Sequence, residues 1–292
     1  MKAAFIIDST ASLPNKIKNL ANVMEVELSV RFPDGEVFSD TTDTAESKRF
    51  YNKLETSEEL PTSSQPQPVE FYRVCDQLVE EGYDTVFGIF LSSKISGTLQ
   101  TAHMILEEYA DHFNSYIIDS KGTSIQMLHI LKEGMAMVEE GRQPQAIAEE
   151  MQWIADNSRV YVMLKDLKNI VKGGRATSFQ AALSTMLRVF VILYFNEAGE
   201  VVLYDKVRTK RKVIKRYIEL VQEAKDRYPA GLKLAFAHGN APGEVKEFEQ
   251  AILAEFPDLD YMTTYLTPVL GTHGGQGCIG MGTLACRRPQ GE

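Results

Sequence analysis

The feature that most constrains this chain is a series of short, unbroken apolar runs separated by segments of helical period. Ala3-Ala-Phe-Ile-Ile7, Thr85–Leu91, Ser115–Ile118 and Val160–Leu164 are such runs. Between them Val69, Tyr72, Cys75 and Val79 recur at three- and four-residue steps, as do Ile125, Leu128, Leu131, Met135 and Val138. A strand apolar at every position is buried on both faces, and amphipathic helices between such strands supply the cover. The pattern predicts an α/β fold whose N-terminal domain, residues 1–165, is a layered parallel sheet.

The second half reads differently. A helical pattern follows Gly173-Gly174. Val189–Phe195 and Val201–Tyr204 then flank Asn196-Glu-Ala-Gly199-Glu, a hairpin turn with glycine where a positive φ is needed. Helices are expected at about 210–227 and 243–255, and strands at 233–237, 261–266 and near 280–286. That mixture of hairpin and crossovers predicts a C-terminal α+β domain with a mixed or antiparallel sheet over residues 166–292. Two domains also suit the length of 292 residues.

Charge and cysteine content narrow the function. The chain has 31 Lys+Arg against 40 Asp+Glu, a formal charge of −9. Nucleic-acid binding is not expected, because phosphate binding rewards a basic surface. Three scattered cysteines (Cys75, Cys278, Cys286) suggest neither a disulfide framework nor a zinc site, so a reducing cytoplasm fits. Only five apolar residues precede Asp8, too few for a signal segment, and no run approaches a membrane span. The five histidines show no metal-ligand spacing, and no Gly-x-Ser-x-Gly elbow is present. No metal, cofactor or catalytic residue is therefore expected.

Several segments carry polar chemistry. Gly275-x-Gly277-x-x-Gly280 fits the dinucleotide fingerprint literally, but too few residues follow it for a βαβ unit. The alternatives are a glycine-rich loop bringing His273, beside Thr272, to a site, or a tight turn with an incidental histidine. Ser92-Ser-Lys-Ile-Ser96-Gly97-Thr98 joins a strand to a helix, where backbone N–H groups favour an anion. Ser96 and Thr98 either cap that helix or meet the anion. Thr62-Ser63-Ser64 and Asp8-Ser9-Thr10 are further hydroxyl clusters at strand ends. Together they suggest a site for a weakly charged or carboxylate group, held by neutral donors. Lys206–Arg216 holds seven basic residues, either a solvated helix face or a docking face for an acidic or phosphate-bearing partner.

Taken in order, Asp8–Leu13, Ser63-Ser-Gln-Pro66, Ser92–Thr98, Asp119-Ser-Lys121, Lys172-Gly-Gly-Arg175, His238-Gly-Asn-Ala-Pro242 and Gly271–Gly277 resemble the motifs of the DegV family. These are bacterial fatty-acid-binding proteins that serve a fatty acid kinase. The resemblance implies one long-chain fatty acid between two domains, its carboxylate on Ser63, Ser96 and His273, with Thr62, Gly97, Thr98 and Thr272 in support. It implies further that Arg175 and Arg208 face the kinase partner or the new phosphate. The chain departs from the family pattern at Gly274, where relatives often have Thr, and at Phe190-Val191, where a Lys-Pro pair is common. Two other readings stay open: a stand-alone enzyme acting on a small carboxylate or phosphorylated substrate, and a regulator contacting nucleic acid or an acidic protein through residues 206–216.

Overall fold

The computed structural model describes residues 1–175, 189–229 and 231–288. The helix expected after Gly174 falls largely outside them. In chain order the first half comprises β1 (Ala3–Asp8), α1 (Asn15–Lys18), β2 (Val23–Val26), β3 (Ser29–Arg31), β4 (Val37–Ser39), α2 (Thr44–Thr56), β5 (Thr62–Ser64), α3 (Pro68–Glu80), β6 (Thr85–Phe90), α4 (Thr98–Glu108), β7 (Asn114–Asp119), α5 (Ile125–Glu139) and α6 (Pro144–Asn157). There follow β8 (Arg159–Leu164), α7 (Lys168–Lys172), β9 (Phe190–Phe195), β10 (Val201–Val207), α8 (Lys210–Arg227), β11 (Leu232–His238), α9 (Pro242–Glu255), β12 (Tyr261–Tyr265), α10 (Pro268–Gly274) and β13 (Ile279–Ala285).

The first sheet is parallel, in the order β2-β1-β6-β7. Its two central strands are buried at every residue, as a doubly covered strand requires. Alternation decides which cover each side chain meets. Phe5, Ile7, Phe87 and Ile89 pack with Ile130 and Leu131 of α5 and Met151 and Ile154 of α6. Ala4, Ile6, Val86 and Phe90 pack with Phe71, Val74 and Leu78 of α3 and Ala102 and Leu106 of α4. The carboxyl ends of the strands form one rim, carrying Ser92–Ser96 and Thr123–Gln126.

The second sheet has the order β10-β9-β8-β13-β11-β12 and is antiparallel except for its last pair. The hairpin expected around Gly199 is β9–β10. Val160–Leu164, which its position in the chain grouped with the first half, lies in the middle of this second sheet. The reason is register: β8 pairs with β13 and β9, bonds that a local pattern cannot reveal. The change of sheet therefore falls at Ser158, ahead of the expected boundary at 165. One face of the sheet is sealed by Val213, Tyr217 and Val221 of α8 and Phe248 and Ile252 of α9. The opposite face turns toward the rim of the first sheet. Ala235 pairs with Gly282 and Ala237 with Gly280, so four small residues meet on that face. Two facing surfaces cannot close where side chains are this short, and a hollow results.

A third, antiparallel sheet, β4-β3-β5, was not foreseen. Its three-residue strands Ser-Val-Arg, Val-Phe-Ser and Thr-Ser-Ser carry no apolar period. Phe32, Phe38 and Phe50 form its small aromatic core, with Val269 of α10 packed on it. Gly271 of α10 lets the helix press on Tyr51, since an added Cβ would lie 2.5 Å from the phenol oxygen. The second-half chain thus returns to a platform built by the first half.

Candidate functional site

The hollow is a cavity of about 890 Å³, counting its open mouth. Its floor is the uncovered face of the second sheet, including Val160, Val162, Leu164, Leu193 and the small residues 235, 237, 280 and 282. Ile95 and Ile125 close it from the rim of the first sheet. Volume and composition are those of a small-molecule pocket. Phe190 and Val191 do not line it; Val191 is packed in the surrounding apolar cluster. Gly274 does line it.

A smaller, more polar chamber of about 360 Å³ adjoins the first and shares Ile95, Arg175, Leu270 and His273 with it. Ser63, Ser96 and His273 all line this chamber. Ser63 Oγ lies 2.9 Å from His273 Nε2, although 210 positions separate the two residues. Ser63 reaches the ring because it pairs with Val30 in the short third sheet, which sets its side chain opposite to those of Thr62 and Ser64. His273 is not on a loop, as the glycines around it suggested. It lies in the last turn of α10, and the positive-φ glycines Gly275 and Gly277 follow it. Gly280, third in the apparent fingerprint, lies in β13 on the cavity wall.

The imidazole is tightly enclosed. An added Cβ on Gly173 would lie 2.4 Å from His273 Nδ1, so the Lys-Gly-Gly-Arg segment passes the ring only because residue 173 has no side chain. Nδ1 is buried and unbonded. Desolvation, with a smaller contribution from the Arg175 charge, lowers the pKa of His273 to about 4, so the ring is neutral near pH 7. A neutral ring and a hydroxyl can share one proton in either direction.

Ser96 approaches from the rim of the first sheet. Its Oγ is 2.8 Å from Thr98 Oγ1 and accepts from Thr98 N just ahead of α4, whose N-cap is Gly97, while Ser96 also lines the chamber. Thr98, Thr272, Thr62 and Gly97 are not among the chamber's walls. Thr98 and Thr272 are buried, with Thr272 Oγ1 donating to Pro268 O within its own helix. Thr62 is exposed on the other side of β5. Gly97 leaves room for Gln65, whose Oε1 would lie 2.6 Å from an added Cβ. The third hydroxyl cluster is absorbed by structure: Ser9 Oγ donates to Asp40 and accepts from Leu28 N, while Thr10 donates to Asp8. Burial raises Asp8 to about 6 and Asp40 to about 7. Asp40 accepts from Val269 N, which ties the base of the histidine helix to the platform.

The two arginines separate. Arg175 lines both chambers, its guanidinium donating to Ile95 O and Gly173 O. A site of purely neutral donors, as the hydroxyl clusters implied, is thus not what forms; one cation stands at the junction. Arg208 is exposed between β10 and α8 and lines neither chamber. Several charges of the basic stretch are engaged within the protein, Lys210 with Glu247, Lys215 with Glu219, and Arg216 with Asp205 and Glu219. Among the described residues there is no His, Cys, Asp and Glu cluster suited to a metal, and no helix long and apolar enough to cross a membrane.

Comparison with known proteins agrees with this architecture. A family model described as "Uncharacterised protein, DegV family" matches residues 2–285. A DegV domain-containing protein of Listeria innocua is 35% identical over 286 residues, covering 96% of this chain and 97% of the relative. The solved structure of a fatty acid binding DegV family protein from Streptococcus agalactiae aligns with a TM-score of 0.88 at 28% identity, covering 97% of this chain and 99% of that one. DegV, a fatty acid binding protein from Bacillus subtilis, aligns with a TM-score of 0.85 at 30% identity, covering 98% and 99%. With the family model matching residues 2–285 and a relative 35% identical over nearly the whole of both chains, the chain belongs to the DegV family.

Proposed function

We propose that the protein is a non-catalytic carrier of one long-chain fatty acid, which it presents in the cytoplasm to a separate ATP-dependent fatty acid kinase for conversion to an acyl phosphate. The observation that carries this reading is the continuity of an apolar cavity with a polar chamber walled by Ser63, Ser96 and His273. That pairing fits a molecule with a long apolar body and one small acidic end. The fatty-acid-binding relatives from Streptococcus agalactiae and Bacillus subtilis support the same ligand class.

Burying methylenes at ~0.8 kcal/mol each yields a gross ~12 kcal/mol for a chain of about 15. Ordering the chain and restraining the whole molecule offset much of that. Each hydrogen bond to the carboxylate contributes only ~1.5–3 kcal/mol net. The tail sets affinity; the head fixes direction. Arg175, which lines both chambers, supplies the charge complement, while Ser63, Ser96 and His273 orient the oxygens without a rigid ion pair of their own. An oriented, dry carboxylate is the arrangement in-line phosphoryl transfer requires, with the nucleotide and metal coming from the kinase. Arg208, exposed beside the edge strand, is assigned to that partner.

Organic extraction of the purified, undenatured protein followed by mass spectrometry tests the ligand; a stoichiometric fatty acid is expected. Acyl-phosphate formation by the cognate kinase, with Ser96→Ala and His273→Ala proteins as carriers, tests the roles. Undiminished turnover with both variants would remove the assignment.

A further inference from the structure

Leu28, Leu91 and Val269 wall the smaller chamber beside its polar side chains. Their amide N–H groups converge on one buried cluster. Leu91 N donates to Asp8 Oδ2 at 2.8 Å, Leu28 N to Ser9 Oγ at 3.0 Å and Val269 N to Asp40 Oδ1 at 2.7 Å. Ser9 Oγ in turn donates to Asp40 Oδ2 at 2.9 Å, which ties the acceptors to one another. Thr10 N and Oγ1 both donate to Asp8 Oδ1 and fix the plane of that carboxyl. Asp8, Ser9 and Asp40 are at most 2% exposed.

Each anchored amide lies a short, stiff step from one polar residue of the chamber. Val269 is one turn ahead of His273 in α10. The N-cap of that helix, Thr267, makes no side-chain capping bond, so Asp40 caps the histidine helix from a distant part of the chain. Leu28 leads into β3, where Val30 pairs with Ser63. Leu91 leads into the turn of Ser96, whose N donates to Ser92 O. The three head-group residues come from separate regions of sequence, and these acceptors register them against one another. Stability does not account for two acids here. Burial raises Asp8 to about 6 and Asp40 to about 7, so each costs stability as it ionises. Groups perturbed in this way collect at functional sites.

We propose that Asp8, Ser9 and Asp40 are positioning residues for acyl-phosphate formation, fixing Ser63, Ser96 and His273 in the mutual geometry that aligns the carboxylate for phosphoryl transfer. The role rests on the fatty-acid reading above and is exercised through other side chains, since none of the three residues lines either chamber. A shift of about 1 Å in one head-group donor leaves the apolar cavity intact but misaligns the attacking oxygen, which costs about a hundredfold in rate.

The test uses the delipidated full chain and its Asp40→Ala and Asp40→Asn variants. Alanine removes the acceptor of Val269 N, whereas asparagine keeps the volume and one oxygen for it. Equilibrium titrations compare stearic acid with its methyl ester, and the kinase assay separates kcat from KM for the carrier. Asp40→Ala is expected to bind the ester within about twofold of wild type and the acid about fivefold more weakly. Its kcat is expected to fall about a hundredfold with KM unchanged. Asp40→Asn should restore both quantities to within about threefold of wild type. Equal losses for acid and ester, an undiminished kcat, or an asparagine variant as impaired as the alanine one overturns the positioning role and leaves the fatty-acid reading intact. Should Asp40→Ala fail to fold, Ser9→Ala, which breaks the link between Leu28 and Asp40, faces the same comparison. The acid-to-ester ratio does not involve the kinase, so it judges the role even where no phosphate is transferred. Wild-type protein that binds neither acid nor ester defeats the fatty-acid reading, and the positioning role with it.

Discussion

The two adjoining chambers are built on opposite principles. The smaller one is assembled from five separate segments of the chain, and its central polar side chains are already bonded, Ser63 to His273 and Ser96 to the neighbouring Thr98. The larger one is made by omission: Ala235, Ala237, Gly280 and Gly282 meet where a sheet would ordinarily project side chains. A preformed polar site offers geometry but little net energy, because a new bond replaces an existing one. An apolar hollow offers energy in proportion to length but no direction. Affinity and orientation therefore reside in separate places and can be altered separately.

The largest expected effect comes from refilling the hollow. Gly280→Leu, whose added Cβ would meet Ala237 Cβ at 3.4 Å, places a side chain where three or four methylenes of a ligand would lie. At ~0.8 kcal/mol each, affinity for a long-chain acid should fall about a hundredfold, measured by displacement of a fluorescent acid, while a short-chain acid is little affected. Next is His273→Ala, which should weaken a long-chain acid about tenfold and leave its methyl ester unchanged in the same titration. Equal losses for acid and ester would erase the division of labour.

The third effect concerns pH. An anion beside His273 favours the charged ring, so binding should take up a proton and tighten by about threefold between pH 7 and pH 5, an increase His273→Ala should abolish. Without ligand the sign reverses. The buried ring holds its pKa near 4, below the ~6.5 of an unfolded imidazole. Its contribution to stability is complete above that value and is lost as the pH falls toward 4. Comparing denaturant midpoints of wild type and His273→Ala isolates it from Asp8 and Asp40. Their raised values, about 6 and about 7, act in the opposite sense, costing stability as the pH rises through the acid range. The smallest effect is that of Arg208→Ala. Exposed and outside both chambers, it should change affinity and melting temperature within error, its influence showing only in acyl-phosphate formation with the kinase.

The large cavity was less legible in the sequence than the residues of the polar site. Strands β1, β6 and β7 and helices α8 and α9 follow directly from apolar periodicity, and the hairpin from Gly199. The motif resemblance singled out Ser63 and His273, which the fold brings into contact. The third sheet was invisible because three-residue strands such as Thr62–Ser64 carry no period. Helix α10 was hidden because Gly271 and Gly274 argue against a helix locally, while packing against Tyr51 requires a small residue there. Arg175 reads as an outward charge until Ile95 O and Gly173 O are seen to hold it at the junction. The pairing of Ala235 with Gly282 depends on register, so the empty space itself had no local signature.

The contact between Ser63 and His273 joins the third sheet to α10 across 210 positions of the polypeptide. Any occupant of the neighbouring space is therefore touched at once by segments made early and late in synthesis, and becomes part of the joint between them. Loading should register as mechanical cohesion: at a free concentration a hundred times its dissociation constant, a guest adds ~2.7 kcal/mol to the folded state. Resistance to proteolysis at the seam would then report how full the carrier is.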